Sequence, residues 1–133
     1  MRHVWMVLAA STIALPAAAQ VKAPFLDGTY TMSTEACQKM QALANGGPKS
    51  ISTVPWSVSR NGIDFWEGSC RFTAITEQRK GKQWRVLASC SEGPDTSKEV
   101  YTYVRNNGGS FDVTLKGDKQ AVRYTRCDAI KGN

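Results

Sequence analysis

Four cysteines, one histidine and eleven carboxylates are the side chains through which this chain could do covalent, metal or acid–base chemistry. Cys37, Cys70, Cys90 and Cys127 are widely spaced, with no Cys-x-x-Cys pair of the kind used by metal and redox centres. An even number of such cysteines in an exported chain reads as two disulfides. The only histidine, His3, lies in a segment expected to be removed. A mature chain without histidine holds neither a Ser-His-Asp nor a Cys-His site, nor an imidazole-bound zinc. The carboxylates are scattered, and Asp64 and Glu67 fall on opposite sides of one strand, so they make no acid/base pair. No calcium-loop spacing, phosphate-cradling glycine loop or nucleophile elbow occurs. The expectation is a protein that is not an enzyme and carries no cofactor or metal; a hydrolase built on Asp, Glu, Tyr and Arg is the remaining catalytic alternative.

Residues 1–19 read as a signal peptide and residues 20–133 as one domain. Met1-Arg2-His3 is a short basic start, and residues 4–15 are an apolar run too short to span a bilayer. Pro16 breaks that run, and Ala17-Ala18-Ala19 presents small residues where a signal peptidase cuts. Cleavage after Ala19 leaves about 110 residues, enough to bury about two-thirds of the unfolded surface in a single core. No cysteine precedes Cys37, which closes the lipoprotein route. The mature chain is therefore expected in the periplasm or outside the cell, with no transmembrane segment once the signal is gone. The net charge is +6. In an exported protein that balance points to an anionic envelope polymer, lipid headgroups or an acidic protein partner, and away from nucleic acid.

The elements that must position these residues are short strands. Runs 70–76 and 84–90 flank the turn Arg79-Lys80-Gly81-Lys82. The register that sets Cys70 opposite Cys90 also sets Phe72 opposite Ala88, Ala74 opposite Val86 and Thr76 opposite Trp84, one apolar face. Arg71, Thr73, Glu77, Gln83, Arg85 and Ser89 face the other way. Residues 51–60 and 63–67 flank Asn61-Gly62, the pattern of a type I′ turn, with Val58 paired to Phe65 and Trp66 on the outer face. Pro55 suits an edge or a bulge. Residues 98–105 and 110–116 flank Asn106-Asn107-Gly108-Gly109; Val100, Thr102 and Val104 then join Leu115, Val113 and Phe111 on the core side, leaving Tyr101 and Tyr103 outside. A last strand over 121–127 sets Val122 and Tyr124 inward, which turns Cys127 outward unless a bulge intervenes. Upstream, residues 20–24 read as a flexible lead and 27–32 as the first strand. Ser33 caps a helix that carries Cys37, Met40 and Leu43 on one face and stops at Asn45-Gly46-Gly47-Pro48. Residues 128–133 read as a loose tail.

Eight short strands in chain order with one short N-terminal helix give a mainly β fold, a small antiparallel eight-stranded meander barrel closed to hide its edges. Cys70 then bridges Cys90 across the hairpin, and closure of the barrel brings Cys37 to Cys127. Trp56, Val58, Phe65, Phe72, Trp84, Val86, Val100, Val104, Phe111, Val113 and Leu115 are expected to fill the interior without a cavity. Function is thereby placed on the outer surface, at Trp66, Arg71 and Arg85 beside Ile75 and Leu87, a mixed apolar and cationic contact for a protein or polymer. Cover of Ile75 and Leu87 by the helix would leave only a basic rim.

Gly28-Thr29-Tyr30 at the opening of the first strand, a meander of this length and an exported disulfide-bonded chain resemble the calycin-like barrels. These include the lipocalins, whose first strand carries Gly-x-Trp, and the periplasmic inhibitors of bacterial metalloproteases. Tyr30 stands at the tryptophan position, and residues 20–25 share no motif with the lead that the inhibitors insert into the protease cleft, so no inhibitory residue is carried over. Cys37 with the ending Tyr124-Thr125-Arg126-Cys127 is similar to small exported proteins of Gram-negative bacteria. The resemblance implies a non-catalytic binding module of the cell envelope, either a protein inhibitor or a ligand-binding protein. The alternative is a structural or polyanion-associated envelope protein. Intact mass of the exported protein is expected to show a chain beginning at Gln20; a form retaining Met1 would overturn the reading of residues 1–19.

Overall fold

Cys70 and Cys90 face one another across the longest hairpin, bridged by a disulfide with Cα atoms 3.9 Å apart. This hairpin is the frame of the computed structural model, which describes residues 19–46 and 55–127. Residues 1–18, read as most of a signal peptide, Gly47-Pro48, read as the helix stop, positions 51–54, read as strand, and 128–133, read as a tail, lie outside the described residues. Eight strands, β1 (Tyr30–Thr31), β2 (Ser57–Ser59), β3 (Gly62–Phe65), β4 (Gly68–Arg79), β5 (Gln83–Glu92), β6 (Asp95–Arg105), β7 (Phe111–Leu115) and β8 (Val122–Arg126), pair antiparallel in chain order and close into a barrel. One helix, α1 (Thr34–Ala44), lies between β1 and β2. This is the expected mainly β architecture, consistent with a calycin-like layout.

The helix starts where its chemistry dictates. The Ser33 side chain accepts from the Ala36 backbone N–H at 3.1 Å, satisfying one of the donors a helix leaves open, and Glu35 sits in the positive first turn. Cys37 is its buried residue, bridged to Cys127 beyond the end of β8. Both expected disulfides form. Cys127 reaches its partner because the strand stops at Arg126, and its backbone N–H bonds the Thr29 carbonyl at 2.8 Å. That break resolves the conflict between an inward Tyr124 and an inward Cys127.

Three registers differ from expectation. In β4–β5 the pairs Cys70–Cys90 and Phe72–Ala88 stand, but a bulge at Thr73 shifts the rest, so Ala74 pairs with Leu87 and Ile75 with Val86. A bulge exchanges the faces beyond it: Ala74 is exposed, and Ile75 packs against the core instead of lying outside. In β2–β3, Val58 pairs with Ile63 and Ser59 with Gly62, a slide of two residues that preserves the faces. The turn residues are Arg60 and Asn61, neither with positive φ, so the turn is not type I′. Gly62 follows at φ 146°, and a β-carbon there would collide with the Cys70 carbonyl oxygen. In β6–β7, Tyr103 pairs with Val113 and Tyr101 with Leu115, a one-residue slip that turns Tyr101 and Tyr103 into the core and leaves Val100 and Val104 half-buried on the other face. The cause lies upstream. The Gly93-Pro94 turn pairs Glu92 with Asp95, which sets Trp84 opposite Tyr103 and Val86 opposite Tyr101.

The lead is not flexible. The Val21 N–H bonds the Phe72 carbonyl and the Ala23 N–H bonds the Arg60 carbonyl, and Ala23, Phe25 and Leu26 are buried. Phe25 stacks on Trp84 at 4.1 Å and meets Tyr103 and Phe111 edge-on or tilted, so the lead plugs one end of the barrel. Arg105 fastens the plug, donating to the Phe25 and Gly81 carbonyls while its guanidinium lies over the Trp84 ring at 5.0 Å.

The two bridges span 90 and 20 residues. In the chain-entropy account, serine at Cys37 and Cys127 should cost about 4–5 kcal/mol and serine at Cys70 and Cys90 about 3 kcal/mol, read as urea denaturation midpoints. The opposite order would show that the long bridge constrains little.

Candidate functional site

Strands alternate in direction, so the turns after β2, β4 and β6 share the plugged end, while those after β3, β5 and β7 share the other. At that second end the interior is not filled. A cup of about 290 Å³ opens there, walled by Ile63, Tyr101, Val113 and Tyr124 from β3, β6, β7 and β8. Its rim is Met32, Trp56, Leu115, Asp118 and Val122. The expectation of a filled interior fails at this end: Trp56 and Leu115, expected inside, stand on the rim, and Val100 lies on the other face of its strand.

Apolar side chains held in water carry a cost of about 25 cal/mol per Å². Among the described residues, four large hydrophobics are exposed, and three of them, Met32 at 49%, Trp56 at 41% and Val122 at 42%, stand on this rim. Trp56 is held in place by stacking on Phe65, with ring centroids 4.4 Å apart. Asp118 supplies the one charged group of the lining.

Beneath the cup lie phenols. Tyr103 is fully buried, and its hydroxyl has no hydrogen-bond partner among the described residues. Burial pushes its pKa well up, and the neighbouring Tyr124 and Tyr101 hydroxyls add to the effect. Burial likewise lifts Tyr124 to about 12, with Tyr101 contributing, and raises Tyr101, helped by Glu99 and Asp118. All three stay neutral hydrogen-bond donors at physiological pH. The Tyr101 hydroxyl contacts the Cys70 sulfur at 3.7 Å, a weak acceptor.

At the plugged end a second phenol arrangement closes the seam. The Tyr30 hydroxyl donates to Asp27 Oδ1 at 2.6 Å, and Arg126 donates to Asp27 Oδ2 at 2.9 Å. Burial, then this carboxylate, holds Tyr30 at about 12, and the Tyr30 hydrogen bond in turn keeps Asp27 below the usual carboxylate range.

The residues singled out for an outer contact lie apart. Trp66 sits in the β3–β4 turn at the open end and is 54% exposed. Arg71 is half-buried and paired with Asp64 at 2.8 Å. Arg85 is exposed opposite Thr76, near the start of β5, whereas Glu92 at the far end of that strand adjoins the Trp66 turn; the separation along the strand is about 23 Å. Of the two apolar neighbours, Leu87 keeps its outer position and Ile75 does not. A second cavity, of about 370 Å³, lies where Thr73, Leu87 and Ser89 meet Lys98 and Val100. Met32, Tyr101, Asp118, Val122 and Tyr124 escaped sequence reasoning. The two-residue turn after Glu92 carried the signal for the tyrosines, since it alone sets the parity of β6 against β5.

Among the described residues no three His, Cys, Asp or Glu side chains are grouped to hold a metal ion, and no helix is long and apolar enough to cross a membrane. No protein-family model matches the chain, and neither curated proteins nor solved structures yield a match.

Tyr30 and Tyr124, at about 12 against an ordinary 10.0, give the fold an alkaline signature. Their folded values lie above the unfolded one, so the stability they contribute is complete below pH 10 and is lost as pH rises towards 12. Urea midpoints should hold level to about pH 9 and then fall, and Tyr124→Phe should make the fall shallower. A midpoint unchanged through that window would contradict the buried phenols.

Proposed function

We propose that this chain is a non-catalytic exported binding protein that takes a small, largely apolar ligand into the cup at the open end of its barrel. The observation that carries the reading is the coincidence of three solvent-exposed large hydrophobics on one rim with a base of neutral phenols. Exposed apolar surface around a concavity is covered at little cost by a ligand, and Tyr101 and Tyr124 in the lining bring phenol donors to one. A volume of about 290 Å³ stands at the small end of ligand pockets and suits a molecule of one or two rings. Its inner end carries a hydrogen-bond acceptor for the tyrosine hydroxyls. Its outer end is neutral or cationic, since Asp118 opposes an anion.

Two disulfides agree with an oxidising compartment, periplasmic or extracellular. Trp66, at the same end as the cup, extends the apolar rim towards any protein partner that receives the ligand. Arg71 and Arg85 take no part in this reading.

Titration with naphthol, followed by tryptophan fluorescence, tests the proposal. Saturable binding to one site is expected, weakened at least about tenfold by Val122→Trp, which fills the mouth from an exposed position. Tyr124→Phe should weaken it about threefold to tenfold through the lost hydroxyl. Parent-like binding in the Val122→Trp protein would place the ligand elsewhere and end this reading.

A further inference from the structure

The charge of the molecule is not spread evenly. Lys22 on the lead, Arg60 in the β2–β3 turn and Arg79, Lys80 and Lys82 around the β4–β5 turn are all exposed and all belong to the plugged end. None of the five makes an ion pair among the described residues, where the four ion pairs use other side chains. Among the described carboxylates, Asp27, Asp112 and Glu77 stand on segments that reach this end. Asp27 and Asp112 are held by Arg126 and Arg123, and Glu77 is in no ion pair among the described residues.

The backbone beneath these cations is fixed. Lys22 stands between Val21 and Ala23, whose N–H groups are bonded to Phe72 and to Arg60 itself. The β4–β5 turn is tied to β6 by the Arg105 N–H on the Lys82 carbonyl at 2.8 Å, and Arg105 also joins that turn to the lead through Gly81 and Phe25. Arg85, exposed on the same hairpin, continues the positive surface. Like charges gathered on a pre-ordered support, at a cost in mutual repulsion, gain most when an anion of matching extent neutralises them together.

We infer that the plugged end is an attachment surface for an anionic polymer, which would hold the protein with the cup directed away from the attachment. A polymer is favoured over a bilayer by the distribution of apolar side chains. Met32, Trp56, Trp66 and Val122, the exposed large hydrophobics among the described residues, all lie at the opposite end, so the described residues of the basic end offer no large exposed hydrophobic to insert among lipids. Attachment is then electrostatic and salt-dependent, and independent of whether the cup is filled.

The test compares two double variants of the full disulfide-bonded protein with the same change in net charge. Lys80→Glu with Lys82→Glu reverses the basic end, and Lys116→Glu with Lys119→Glu reverses exposed lysines beside the cup. Binding to heparin, a soluble polyanion, is measured across a salt series. The first variant should bind at least about tenfold more weakly than the parent at low salt, and the second within about twofold of it. Lys22→Glu with Arg60→Glu should repeat the large loss. Equal losses at the two ends would reduce the effect to net charge and overturn the inference. So would binding that ignores salt, or binding to phosphatidylglycerol vesicles without binding to heparin.

Discussion

An eight-stranded sheet becomes a barrel only if its first strand pairs with its last, and here that seam is two residues long. Tyr30 and Thr31 pair with Val58 and Ser57 on one side and with Arg126 and Thr125 on the other. So short a strand offers few ladder hydrogen bonds, and the closure depends on what surrounds it. The Cys37–Cys127 bridge clamps the chain just past both ends of the seam, and the buried Thr31 hydroxyl lies against both of its sulfurs. On the other side Asp27 gathers Tyr30 and Arg126, and Gly28 makes room, since a β-carbon there would come within 2.9 Å of Arg126 Nε. The phenol, the guanidinium and the disulfide together do what a longer strand would do with backbone alone.

Much of this was legible from residue types. The cysteine hairpin, the Ser33 cap, both bridges, the strand count and the closed barrel follow from alternation, turn residues and cysteine placement. The parts that were not legible share one cause: a period of two tells which residues share a face but not which face is inside. On β6, Val100 and Val104 compete with Tyr101 and Tyr103 for the interior, and hydrophobicity favours the valines. The tyrosines win because β6 is already fixed by β5 through a turn too short to allow another register. On β4 the bulge at Thr73 leaves no mark in the sequence, yet it moves Ile75 from one surface to the other.

The lining of the cup follows from the same choice. Tyrosines are longer than the valines they displace, and their hydroxyls have to end somewhere within the barrel. Tyr103 ends in a buried space without a partner among the described residues, and Tyr101 and Tyr124 line an opening whose rim is largely apolar. The outer-face reading of Trp66, Arg71 and Arg85 assumed that consecutive strands bring consecutive features together, whereas the length of β5 separates them by most of the height of the barrel.

The buried lead also bears on the order in which this protein can assemble. Ala23, Phe25 and Leu26 are made early, but the side chains that Phe25 rests on, Trp84, Tyr103 and Phe111, belong to strands synthesised much later. The same holds for the seam, whose first strand waits for the last. Contacts so distant along the chain exact their loop-closure entropy before they return any stability, which slows folding and makes it all-or-none. Phe25 lacks part of its cover until β7 has emerged, and Tyr30 lacks its strand partner until β8 has. A polypeptide of this topology can therefore remain unfolded for as long as it is incomplete, the state in which threading through a narrow passage meets the least resistance.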